Sequence, residues 1–136
     1  FRAALERAGA LAAEGGGTVA GFDIQPQDAA ARALIVDAFR SAREDEWAEF
    51  VADCAKFTAE IDREIAKEKF TFAELEEEEQ SLERLRRWYR DLKKRDVLAL
   101  SAAKRAAEHL SDCTQALDGF AERVYAANRI STPDEP

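Results

Sequence analysis

The spacing of apolar residues divides most of the chain into long helical segments. Between residues 28 and 69, apolar side chains recur every three or four positions, which is the period of an amphipathic helix. Asp28 stands where an N-cap belongs, shortly after Pro26. The apolar stripe is interrupted over residues 43–46, and a bend there is compatible with the pattern. If the helix is unbroken, it is about 60 Å long at roughly 1.5 Å per residue.

Two further helices are predicted after this one. The motif Thr71-Phe72-Ala73-Glu74 matches a capping box, so a helix should begin at Thr71, and its apolar positions stay close to the heptad spacing of a coiled coil. A third stripe begins near Ser101 and ends near Asn128, before Pro133. Long helices with short connections pack antiparallel, which predicts a bundle over residues 27–130. We expect its core to contain Phe50, Phe57, Ile61, Leu82, Leu85, Leu110, Leu117 and Phe120.

Residues 1–26 follow a different pattern. Phe1 to Glu14 has helical spacing and ends at three consecutive glycines, and Thr18 to Ile24 is a short β-prone run that we interpret as a strand. Because a lone strand leaves its backbone groups unpaired, its partner should come from residues upstream of Phe1 or from a second copy. The predicted fold is therefore mainly α: an antiparallel bundle of three long helices, preceded by a short helix-strand (α/β) segment. We interpret this segment as the remainder of a truncated α+β N-terminal part, and residues 131–136 as a tail.

Composition and charge narrow the classes of function. Of the 136 residues, 46% are hydrophobic and 35% charged, which is the balance of a chain that folds. No apolar run approaches a membrane span, so we expect no membrane partner and a cytoplasmic location. The net charge of -8 opposes binding of the whole chain to a phosphate backbone. Any contact with DNA must therefore be local.

No arrangement of residues indicates a catalytic or metal centre. Cys54 and Cys113 lie far apart on the apolar stripes of two helices, where buried packing explains them better than metal binding with His109 does. A single histidine and scattered serines give no catalytic triad. We therefore predict no enzyme activity, no metal and no cofactor.

The second long helix carries acidic residues first and basic residues afterwards. This order complements the helix dipole, and Glu83 and Arg87 have a spacing that favours an ion pair, so a solvated face explains most of the charge. Trp88 lies among the arginines, where it could contact nucleic acid or cover the bundle. The candidate phosphate-binding or partner-binding residues are Arg86, Arg87, Arg90 and Lys94.

Several segments resemble the N-terminal region of the chromate-resistance protein ChrB family. These are residues 16–19 (GGTV), 39–47 (FRSAREDEW), 70–77 (FTFAELEE), 82–88 (LERLRRW), 94–96 (KRD) and 120–126 (FAERVYA). The resemblance implies a cytoplasmic, chromate-responsive transcriptional regulator that binds DNA through a region upstream of these residues. The alternative is a helical scaffold for protein interaction or homo-oligomerisation, without ligand or DNA binding.

Overall fold

The computed structural model describes residues 2–129, and the regular elements in this range are four helices. They are α1 (Arg2–Glu14), α2 (Ala29–Ala66), α3 (Phe72–Arg95) and α4 (Ser101–Arg129). The predicted tail at residues 131–136, with Pro133, lies outside the described residues, as does Phe1. The chain divides into two compact units, Phe1–Leu34 and Ile35–Pro136.

The first unit contains α1, but the strand predicted over Thr18 to Ile24 was wrong. α1 ends at the glycines as predicted, and Gly16 takes the left-handed conformation with φ of 78°. Residues 18–24 are irregular and exposed, and no strand occurs in the described part of the chain. The fold is therefore mainly α without the helix-strand segment. The physical reason is that a β-prone run needs a neighbouring strand for its backbone groups, and residues 2–129 provide none.

Local capping fixes the beginnings of α2 and α3 as the sequence predicts. The carboxylate of Asp28 accepts a hydrogen bond from the backbone N–H of Ala31 at 2.8 Å. The hydroxyl of Thr71 accepts one from the backbone N–H of Glu74 at 3.2 Å, which is half of the predicted capping box. α2 continues as helix through residues 43–46, where the apolar stripe is interrupted.

The second unit is an up-down-up arrangement of the remaining part of α2 with α3 and α4. Of the eight predicted core residues, seven are buried and Leu110 packs partly buried against them. The connection at residues 67–71 reverses the chain, and the amide of Asn128 near the end of α4 donates to the carbonyl of Phe70 at 3.1 Å. The antiparallel bundle is therefore confirmed.

The three helices are not evenly spaced. Cα atoms of α3 and α4 approach within 8 Å, whereas α2 does not come that close to either helix. The size of the buried side chains explains this difference, since α4 contributes Ala102, Ala103 and Ala106 while α2 contributes Trp47 and Phe50. The wide spacing on the α2 side leaves room for the groove described below.

A buried hydrogen bond ties α2 to the connection between α3 and α4. Trp47 is 1% exposed, and its indole N–H donates to the carboxylate of Asp96 at 3.1 Å. The same carboxylate accepts the backbone N–H of Leu100 at 3.1 Å. Asp96 thus satisfies two donors from different elements with one side chain.

Candidate functional site

The predicted basic residues lie along α3, but they do not form one free surface. Arg87, Arg90 and Lys94 are exposed, and their spacing along the helix puts them on one face. Arg86 is half-buried, and its guanidinium donates to the hydroxyl of Thr114 on α4 at 3.5 Å. Three of the four candidates therefore share the solvent-facing side, and the fourth takes part in helix packing.

Ion pairs on α3 partly neutralise this face. The expected pair between Glu83 and Arg87 is absent, because Glu83 instead contacts the guanidinium of Arg90 at 3.2 Å, two turns along the helix. Lys94 contacts Asp91 at 3.3 Å. Within the described residues, Arg87 makes no ion pair. Exposed ion pairs of this kind contribute little to stability. Arg90 and Lys94 can therefore exchange their carboxylate partners for a phosphate with little loss of free energy.

Trp88 belongs to the bundle more than to the basic face. Its ring meets that of Phe50 edge to face, with centroids 5.3 Å apart. Phe50 also contacts Tyr89, whose ring lies 5.6 Å from Trp47. These four aromatic rings fill the space between α2 and α3, which favours the interpretation of Trp88 as a bundle residue.

The two cysteines are buried packing residues, as the sequence predicts. Both are free, and the thiol of Cys113 donates to the carbonyl of Cys54 at 3.5 Å. The hydrogen bond with Cys113 and burial raise the pKa of Cys54 far above that of an ordinary thiol. His109 is exposed, and among residues 2–129 no three acidic, histidine or cysteine side chains come together as metal ligands.

Sequence reasoning missed two buried acids on facing helices. Glu64 on α2 is 4% exposed and Glu78 on α3 is 6% exposed. Burial raises the pKa of Glu78, and the nearby charges of Glu77, Glu64 and Glu74 raise it further. The signal was present in the sequence, since Glu78 stands three residues after Leu75 and four before Leu82, at a position that the apolar stripe assigns to the core.

Both buried acids line an open groove between α2 and α3. Its volume is about 970 Å³. Glu74 and Glu77 lie with them at the end next to the α2–α3 connection, and Phe57, Leu85 and Trp88 supply apolar wall. The bundle therefore carries two candidate binding features: the basic face of α3, which the sequence predicted, and this acidic groove.

None of the helices within residues 2–129 combines the length and the apolar character that a membrane span requires.

Comparison with known proteins gives a family for the chain. The family model described as "Protein ChrB, N-terminal" matches residues 1–131. No curated protein and no solved structure matches the chain significantly. The match spans nearly the whole sequence, including every segment on which the resemblance was based. The chain therefore belongs to the family of the N-terminal region of the chromate-resistance protein ChrB.

Proposed function

We propose that this chain is a regulatory interaction module in chromate-responsive control of transcription, which works in the cytoplasm by binding and not by catalysis. Membership in the family of the ChrB N-terminal region supports the link to chromate resistance. The observation that carries the proposal is the number of large apolar side chains that stay exposed although the bundle core is complete.

Exposed apolar residues occur in both units. In the first unit they include Leu11, Phe22 and Ile24. Phe22 and Ile24 are 84% and 82% exposed. In the second unit, Ile35 and Phe39 near its beginning are 44% and 55% exposed. Burying one such side chain contributes about 1.5–3 kcal/mol. A partner that covers several of them would therefore gain substantial binding free energy.

We infer that a second copy of the chain covers Ile35 and Phe39. Together with Ala38 and Ala42, which are also exposed, they form a short apolar stripe on α2 at helical spacing. An antiparallel pairing centred between residues 38 and 39 places Asp37 of one copy opposite Arg40 of the other. Within one copy these two side chains form a loose ion pair with each other at 3.9 Å, and both are at least half exposed. Such an exposed pair contributes little to stability, so it can be exchanged for the contact between copies.

Such a pairing is a short antiparallel coiled coil with two-fold symmetry. Many regulators bind DNA as two-fold dimers, so self-association fits a regulatory role.

Self-association is tested by sedimentation velocity over a series of protein concentrations. We expect the wild-type chain to shift from monomer to dimer as concentration rises, and a variant with Ile35→Gln and Phe39→Gln to stay monomeric. Val97→Gln is the matched control, because Val97 is an exposed apolar residue in the α3–α4 connection, away from the stripe. A wild-type chain that stays monomeric, or a double variant that dimerises as well as the control, would contradict the pairing.

DNA binding is a second candidate function, supported by Arg87, which makes no ion pair with residues 2–129. If the protein binds DNA, we expect Arg87, Arg90 and Lys94 to contact phosphates only, because the net charge of -8 opposes wider contact. Each phosphate contact contributes about 0.9 to the slope of log affinity against log salt. Replacing the three residues with Ala should therefore flatten that slope by up to about 2.7 in a titration of the full protein with DNA.

The two assays separate the alternatives. An unchanged slope would place the DNA surface elsewhere in the protein. Dimerisation without any DNA binding would support the helical scaffold.

A further inference from the structure

The groove between α2 and α3 has an acidic end beside the α2–α3 connection. Two of its carboxylates are held by cations of the chain: Glu64 contacts Lys67 at 3.0 Å, and Glu74 contacts Lys69 at 3.0 Å. Glu77 and Glu78, within the described residues, have no ion pair. Arg84 lines the same groove, and its charge opposes the rise in the pKa of Glu78. The carboxylates of this end still outnumber the nearby cations, which are Lys67, Lys69 and Arg84.

Glu78 is the most unusual member of this cluster. It is 6% exposed and lines the groove, yet it makes no hydrogen bond and no ion pair with the described residues. Across from it, one carboxylate oxygen of Glu64 is buried without a hydrogen bond, since the ammonium of Lys69 is 4.0 Å away. The Glu64 oxygen is fully buried without a hydrogen bond, which is costly, whereas the carboxylate of Glu78 keeps contact with the open groove. Both therefore offer acceptor capacity to a partner with hydrogen-bond donors.

The chain's own Lys69 indicates the chemistry that this end attracts. Its ammonium lies between Glu74 and Glu64, and the hydrogen bond to Glu74 together with these charges raises its pKa. A metal ion is disfavoured, because no three carboxylates in the described part of the chain are arranged as ligands. Phe57, Leu85 and Trp88 provide apolar wall further along the groove, which suits an organic group attached to a cation.

We propose that this groove binds an organic cation, a primary ammonium or guanidinium group, whose N–H donors pair with Glu78 and with the unsatisfied oxygen of Glu64. Such a group comes either from a small amine or from a lysine or arginine side chain of a polypeptide. The inference is independent of dimerisation and DNA binding, because the groove is formed by α2 and α3 of one copy.

The test is isothermal titration calorimetry at low salt with two probes on the whole chain. Cadaverine represents a small amine, and an acetylated and amidated Gly-Arg-Gly peptide represents a polypeptide side chain. We expect at least one probe to bind the wild-type chain, and roughly tenfold or more weaker binding to Glu78→Gln, because a charge-assisted hydrogen bond is lost. The tighter probe identifies the source of the cation.

Glu79→Gln is the matched control. Glu79 is the next residue on α3, is exposed and does not line the groove. The substitution changes the net charge by the same amount as Glu78→Gln does. Its affinity should equal that of the wild type, and circular dichroism verifies that both variants are folded. Equal weakening by both substitutions, magnesium chloride binding as tightly as the probes, or no binding of either probe at low salt would overturn the proposal.

Discussion

Removing the carboxylate of Asp96 should destabilise the bundle strongly, because this one side chain accepts hydrogen bonds from both Trp47 and the backbone of Leu100. Asp96→Ala leaves the indole N–H of Trp47 without an acceptor in a site where Trp47 is 1% exposed. An unsatisfied buried donor costs about 1–3 kcal/mol. The substitution also removes the acceptor for the backbone N–H of Leu100, just before α4, and such a hydrogen bond contributes about 1 kcal/mol. We expect a loss of about 2–4 kcal/mol in the free energy of unfolding.

The assay is urea unfolding followed by far-UV circular dichroism, with the free energy extrapolated linearly to water. Asp91→Ala is the matched control, because Asp91 is an exposed aspartate near the end of α3, and its ion pair within the described residues is the one with Lys94, at 3.3 Å. We expect the control to change stability by less than about 0.5 kcal/mol.

A double-mutant cycle isolates the contact between the two side chains. Trp47→Phe removes the donor, so in that background Asp96→Ala should cost at least about 1 kcal/mol less than in the wild type. The reasoning is refuted if Asp96→Ala behaves like Asp91→Ala, or if the cycle shows no coupling.

Three other predictions follow from single side chains. Thr71→Ala should lower the free energy of unfolding by about 1 kcal/mol in the same urea assay, because the N–H of Glu74 loses its cap, whereas Thr71→Ser should keep most of it. The raised pKa of Glu78 means that the folded state holds its proton to higher pH than the unfolded state does, so this group lowers stability as pH rises above its ordinary value of 4.5. As pH rises from 4.5, thermal unfolding should therefore show wild type losing stability relative to Glu78→Gln, and parallel curves would contradict this. Cys54 and Cys113 should resist iodoacetamide in the folded chain, because both are buried and the pKa of Cys54 is raised, and they should react once the chain is unfolded in urea. Labelling is measured by mass spectrometry, and rapid labelling without urea would contradict this prediction.

The sequence predicts the helices well because their ends are set by local chemistry. The Asp28 and Thr71 caps involve donors three residues away, so the pattern alone determines them. The predicted strand at residues 18–24 fails for the opposite reason. A strand depends on a partner that the local pattern does not contain, and β-propensity is a property of the surroundings more than of the segment.

The candidate sites are less predictable, because they depend on how helices approach each other. Sequence spacing identifies Arg87, Arg90 and Lys94 as one face. It does not show that Glu83 forms its ion pair with Arg90 and not with Arg87. The acidic groove depends on the wide separation of α2 from α3, which follows from aromatic packing in three dimensions. The apolar spacing does contain a signal for both buried acids, because Glu64 stands three residues after Ile61 and Glu78 three residues after Leu75.

Symmetric pairing through α2 is tested most directly by a cross-link at the proposed two-fold axis. Ala38 is exposed beside that axis, so Ala38→Cys in two copies should bring the new thiols together, while the native cysteines are buried. Mild oxidation with glutathione disulfide should convert Ala38→Cys to a covalent dimer on a non-reducing gel. Ala59→Cys, an exposed position further along α2, should stay monomeric. A covalent dimer with Ala38→Cys alone is the predicted result, and equal cross-linking of both variants, or of neither, would contradict the pairing.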